Sequence, residues 1–264
     1  MISLKLEQGE QKYFFKAGDQ WCYLWTPEEF KPSTPAPVVI HHHGAGGYVR
    51  ENEADWLDTE LKADYLRAVM SESGAVVAGS HVCGDHWGNS CAVEANAALL
   101  VFLDDLMGLD TGRLGLMGGG LGGALVWNSV LGPFAGRVRA VAVMQAVANL
   151  SAVIREKKFK APFLKAYGIP EDTDDKKAIN LIIDHDPMTK LKTLEKGTKL
   201  PFTVIYHGSR DENIPAETNA IPLAKALREA GGSVNLELFE GVEHNTYAMG
   251  APMEKRLRNF FSIL

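Results

Sequence analysis

Leu114-Gly115-Leu116-Met117-Gly118-Gly119-Gly120-Leu121-Gly122-Gly123 runs directly into Ala124-Leu125-Val126-Trp127. The apolar run predicts a buried strand and the glycine cluster a turn too sharp for side chains. The Ala-Leu-Val-Trp continuation predicts a helix packed tightly on the strand it has just left.

With Gly120 at its apex, the turn matches the nucleophile-elbow pattern G-x-S-x-G everywhere but at the serine. Gly118 and Gly122 are the flanking glycines, Gly119 and Leu121 the variable positions, and Gly123 allows close helix–strand contact. In that motif the serine stands on a strained strand-to-helix turn with its hydroxyl clear of the sheet. Two other glycine motifs compete. A phosphate loop needs a Lys-Ser/Thr pair after its glycines, and Leu121–Trp127 offers none. The dinucleotide fingerprint G-x-G-x-x-G is matched literally by Gly118, Gly120 and Gly123. It also wants an acid about 20 residues on, where the chain has Met144 and Gln145.

The 264 residues, 46% hydrophobic and 23% charged, are enough for one α/β core, so a single domain over 1-264 is expected. A net charge of −6 without a compensating Lys/Arg cluster argues against nucleic-acid or anionic-membrane partners. Lys157, Lys158 and Lys160 read as a solvated helix face. No stretch approaches the ~20 apolar residues of a membrane span. The alternation of Ile2, Leu4 and Leu6 reads as a strand, not a signal peptide. Cys22, Cys83 and Cys91 are odd in number and lack metal-type spacing, which points to a reducing, cytoplasmic setting.

Short strands at Ile2–Leu6, Lys12–Lys16 and Trp21–Trp25 precede any helix and suggest an antiparallel start to a sheet. Beyond the Pro32–Pro37 linker the period changes. Strands are expected at Val38–Ile40, Ala75–Gly79, Arg113–Met117, Val138–Met144, Pro201–Tyr206 and Val234–Phe239. Helices are expected at Ala54–Ser73, Ser90–Met107 and Pro252–Leu264. This alternation requires a mostly parallel sheet with helices on both faces, and functional groups gather at its strands' carboxyl ends. Asn149–Gly197 is longer than one crossover helix needs and reads as a lid-like insertion.

The strand ends carry the chemistry. His41-His42-His43-Gly44-Ala45-Gly46-Gly47 has the shape of a His-Gly-x-Gly turn whose backbone N–H groups make half an oxyanion hole. A metal site on His41 and His43 lacks a third ligand at local spacing. Asp211 follows the strand ending at Tyr206, and His244 lies in the loop before the last helix. Singly, each is an ordinary loop residue. Together they give the chain order elbow, acid, base of a triad.

On these residues the chain resembles the α/β-hydrolase fold family, in its small esterase-like and prolyl-oligopeptidase-like branch. The resemblance runs from Pro37 to Leu264. It is carried by His43-Gly44-Ala45-Gly46, Gly84-Asp85-His86-Trp87-Gly88-Asn89, the glycine elbow, His207-Gly208-Ser209-Arg210-Asp211 and Val242-Glu243-His244. It implies a mixed, mostly parallel sheet of about eight strands. It also implies Asp211 as triad acid, His244 as base, and the N–H groups of Leu121 and of Gly44 or Ala45 as oxyanion donors.

The departure is the nucleophile, because glycine has no group to attack a carbonyl. Ser129 and Ser209 are poorly placed substitutes, and Cys83 has nothing nearby to stabilise a thiolate. Asp184-His185-Asp186-Pro187 reads as a helix N-cap followed by proline at N1, and Asn149 as a cap as well. Trp87, His43, Gly119 and Gln145 are the candidate substrate-binding residues, for a small molecule and with no cofactor or metal implied. Two functions fit. One is a small carboxylic-ester or acyl hydrolase without its serine, inactive in this form or using His244 as a general base. The other is a non-catalytic small-molecule binder on a hydrolase scaffold.

Overall fold

The computed structural model describes residues 4–195 and 197–264. Among the described residues, eight strands form one sheet: β1 (Gln11–Ala17), β2 (Gln20–Thr26), β3 (Ala36–His42), β4 (Val76–Ser80), β5 (Leu109–Gly119), β6 (Val138–Met144), β7 (Phe202–Gly208) and β8 (Val234–Phe239). Their order is β1-β2-β4-β3-β5-β6-β7-β8. The first two strands join antiparallel, and all pairs from β4 to β8 are parallel. The central strands read as near-continuous apolar runs because helices cover both of their faces; every residue of β3 and β4 is buried.

The helices are α1 (Asp55–Asp58), α2 (Glu60–Ser73), α3 (Ser90–Asp104), α4 (Gly122–Val130), α5 (Leu150–Glu156), α6 (Lys160–Ala166), α7 (Asp175–Leu181), α8 (Pro187–Lys192), α9 (Ala220–Glu229) and α10 (Gly250–Phe261). Strand alternation sorts the core into two layers. Val38, Ile40, Leu116 and Val143 pack with Leu99, Trp127 and Leu223. Val39, Val77, Met117 and Ala142 pack with Leu66, Val69 and Leu257 on the other face. Among the described residues no helix is long and apolar enough to cross a membrane.

Several expectations are corrected. The helix expected over Ala54–Ser73 breaks at Thr59, whose extended backbone suits a β-branched residue. Of the strand expected at Ile2–Leu6, residues 2 and 3 lie outside the described residues. Leu4–Leu6 form no strand, because the chain turns and Gly9 N–H pairs with Phe30 O instead of entering the sheet. Cys83 and Cys91 are joined in a disulfide, leaving only Cys22 as a buried thiol, so the odd count is one bridge plus one core residue. The basic run is not simply a solvated face. Lys160 pairs with Asp175 at 2.7 Å, and Lys158 donates to Glu212 O at 3.3 Å.

Between β6 and β7 lie α5 to α8. Leu150, Val153, Phe163 and Ile182 from this insertion form an apolar cluster with Trp87, Leu121, Val147 and Ile214. The insertion therefore packs against the elbow end of the sheet. Asp186 precedes Pro187 at the head of α8, and its carboxylate also reaches across to α5. It accepts Leu150 N–H at 3.0 Å, Ser151 Oγ–H at 3.1 Å and Thr189 Oγ1–H at 3.1 Å. A capping residue thus ties the start of α5 to α8. Asn149 caps α5, its Oδ1 accepting Ala152 N–H at 3.1 Å.

Candidate active site

Register brings the candidate loops together. His42 pairs with Gly118, Gly119 with Met144, and Met144 with Tyr206, so the loops after β3, β5, β6 and β7 leave the sheet at one end. The elbow forms there. Gly120 has φ +52°, the left-handed conformation that a sharp strand-to-helix reversal demands. Its N–H donates to Met144 O at 3.3 Å, and its carbonyl accepts from Val147 N–H at 2.8 Å and Gly123 N–H at 3.2 Å.

The glycines of the elbow do different jobs. A Cβ on Gly122 would lie 2.4 Å from His42 O, and one on Gly123 2.3 Å from Ala146 Cβ. One on Gly118 would lie 2.8 Å from Val126 Cγ2. These positions are closed by packing. A Cβ on Gly120 would meet, among the described residues, only Gly44 Cα at 3.7 Å, an ordinary contact. The apex is conformationally strained but open. Gly119 lies beneath it, where a Cβ would come 3.2 Å from Met144 O.

The β3 loop reaches the same place. A Cβ on Gly44 would sit 3.3 Å from Gly119 O. Leu121 N–H and Ala45 N–H donate to no acceptor among the described residues, and Leu121 is buried. Asp85 Oδ1 holds the neighbouring Gly46 N–H at 2.7 Å. The His43 ring nitrogens face Gly44 O at 2.8 Å and His81 O at 3.1 Å, so this side chain braces the loop.

Asp211 is buried at the turn after β7. Its Oδ1 accepts Asn213 N–H at 3.0 Å and Ile214 N–H at 2.9 Å, and its Oδ2 lies 2.7 Å from His244 Nδ1. His207, which sequence reasoning left without a role, lies beneath it. Its Nε2 is 3.4 Å from Asp211 Oδ2 and 2.7 Å from Ile214 O. Burial alone would raise the carboxyl's pKa, but the hydrogen bonds from His207, His244 and Ile214 N–H prevail and hold it well below the usual carboxylate range. Asp211 is thus a fixed anion against one ring nitrogen of His244, which is partly exposed.

Two contacts set the His244 loop. Gln145, at φ +46°, donates from Nε2 to Glu243 O, and Ser209 Oγ accepts Gly241 N–H at 2.9 Å. Gln145 therefore acts on the backbone beside His244. Ser129 Oγ accepts from Asn96 Nδ2 at 2.7 Å, and Cys83 is in the disulfide, so both are committed to structure.

A narrow cleft opens between the insertion and the strand ends. Trp87, Val147, Phe159 and Ile214 supply apolar walls, and Asn213 and Lys158 add polar groups. Two walls touch the elbow and the acid directly: Val147 N–H holds the apex carbonyl and Ile214 N–H holds Asp211. Of the four expected substrate-binding residues, Trp87 lines this cleft, with an indole N–H that has no partner among the described residues.

The sheet order, the elbow and the acid–histidine pair define a hydrolase-type α/β fold. Residues 69–262 match the model of the prolyl oligopeptidase family, and the chain belongs to that family. Among solved structures it is similar to an S-formylglutathione hydrolase from Agrobacterium tumefaciens, at 14% identity and a TM-score of 0.72 over 98% of both chains. Thermogutta terrifontis esterase 2, phosphoramylated by tabun, matches at 17% identity and a TM-score of 0.65, over 97% of this chain and 94% of that one. A putative dipeptidyl aminopeptidase IV from Bacteroides ovatus matches at 14% identity and a TM-score of 0.69; 97% of this chain covers only 36% of that one. No curated protein matches.

Proposed function

We propose that the strand-end site acts on a small carboxylic ester or related acyl compound, and that Gly120 stands where this machinery carries its serine nucleophile. Asp211 orients His244, and the N–H groups of Leu121 and of Gly44 or Ala45 serve a developing oxyanion. The acyl or alcohol group lies in the cleft walled by Trp87, Val147 and Ile214. The observation that carries the reading is the open apex at Gly120 between glycines closed by packing, with Asp211 held 2.7 Å from His244. A binder has no need of a buried anion fixed on a histidine beside two free N–H donors.

The chain as it stands should not react with a fluorophosphonate, which needs an activated serine. Gly120→Ser should react with it and should hydrolyse p-nitrophenyl acetate at least about 10³-fold faster, with His244→Ala abolishing the gain. The tabun adduct of the esterase 2 neighbour makes an organophosphorus probe a fitting one. The serine must accept the apex torsion, at a stability cost of about 1–2 kcal/mol. If Gly120→Ser folds yet stays unlabelled and inactive, the esterase reading fails and a small-molecule binder takes its place.

A further inference from the structure

We propose that the open space at Gly120 admits a small neutral nucleophile, an amine or alcohol of one or two heavy atoms, so that the chain as it stands transfers an acyl group directly to that molecule. The proposal rests on the ester-processing reading of the site and adds an activity to it.

The steric argument is local. Around the apex, a Cβ would meet, among the described residues, only Gly44 Cα at 3.7 Å, whereas Cβ atoms on Gly118, Gly122 and Gly123 would meet neighbours at 2.8 Å or less. Of these four glycines, the apex is therefore the one at which an added side-chain atom meets no clash among the described residues. The Leu121 N–H beside it is without a protein acceptor among the described residues. His244 is tied to the same strand end: Gln145 holds Glu243 O, and the preceding residue, Met144, accepts the Gly120 N–H. Asp211 occupies Nδ1 of His244 at 2.7 Å, which leaves Nε2 as the basic atom.

With hydroxylamine as the acceptor, its nitrogen attacks the ester carbonyl carbon and the carbonyl π pair moves onto oxygen, toward the Leu121 N–H. His244 Nε2 takes a proton from the attacking nitrogen. Collapse re-forms the carbonyl and expels the alkoxide or phenoxide, which takes that proton from His244. The products are a hydroxamic acid and an alcohol or phenol, and no acyl-enzyme forms.

The test uses the unaltered chain with phenyl butyrate and hydroxylamine, following butyrohydroxamate. Formation should saturate in ester, exceed the solution rate by about 10²-fold, and fall to the solution rate in His244→Ala. Gly120→Ala, which fills the space, should lose at least tenfold. A second measurement needs no variant: methyl and isopropyl butyrate formed from methanol and isopropanol should differ by at least tenfold in favour of methanol. Equal rates for the two alcohols, or a rate indifferent to His244→Ala, overturn the proposal. A Gly120→Ser protein that hydrolyses esters while the unaltered chain transfers to neither acceptor sinks this inference alone. A Gly120→Ser protein that does neither sinks the site reading beneath it.

Discussion

Gly120, Gly122 and Gly123 look alike in a sequence and differ in what holds them glycine. At Gly120 the constraint is the torsion, φ +52°, with room above it. At Gly122 and Gly123 it is the 2.3–2.4 Å approach of His42 O and Ala146 Cβ. Gly120→Ala should therefore cost about 1–2 kcal/mol, and Gly122→Ala about 3 kcal/mol because it meets backbone that cannot step aside. Urea denaturation of both variants checks the order; equal losses would mean the apex is packed like its neighbours. The spacing of glycines made the elbow legible. Which of them are closed by packing depends on His42 and Ala146, some 80 and 23 residues away along the chain, and no local pattern records that. His207 is a different case: Asp211 lies only four residues on, and the β7 turn folds the carboxylate back over the ring.

The 83–91 loop shows what element-level reading misses. Cys83 and Cys91 close a short ring on the segment that carries Trp87, and Val82, Cys83 and Trp87 all have positive φ. From this ring Asp85 holds Gly46 N–H, the Trp87 carbonyl accepts Tyr167 Oη–H at 3.0 Å, and Asn89 Nδ2 donates to Ala166 O at 2.8 Å. One loop thus joins the β3 turn to the insertion. Closing so short a ring removes unfolded-chain entropy worth roughly 2–3 kcal/mol. The double variant Cys83→Ser, Cys91→Ser should lose that much stability and speed amide exchange at Gly46. Unchanged exchange there would show that the β3 turn stands without the ring. The parallel strands were legible because burial on both faces writes them as apolar runs. The bridge was not, since an eight-residue separation fits a pair of free thiols as well. The start of β5 at Leu109 was also hidden, because Asp110, Thr111 and Gly112 lie at a solvated strand end.

At the scale of the molecule, the fold gathers histidines where it places its site. His41 and His42 end β3, and His86 lies across from His43 with ring centroids 5.6 Å apart. Strand order brings them together, and the chain order of β3 and β4 does not reveal it. His41, His42 and His86 are buried, and burial holds His41 and His86 well below the usual imidazole pKa and moves His42 down to about 4. Their folded forms are neutral, whereas in the unfolded chain they take up protons once the pH drops below 6.5. Stability is therefore full above that value and is lost progressively as the pH falls from 6.5 toward 4. For His42 alone, the displacement from 6.5 to about 4 amounts to about 3 kcal/mol by pH 4. Asp211 works in a separate window. Its carboxyl is lowered by its partners, so its contribution persists until the pH falls below the ordinary carboxylate value near ~3.9. Urea midpoints should stay level from pH 8 to 7 and then fall steadily to pH 4.5. Substituting His42→Gln, which cannot take up a proton, should flatten that decline. A midpoint that holds constant down to pH 5 would mean that these imidazoles reach solvent and that the β3 end is not closed by packing.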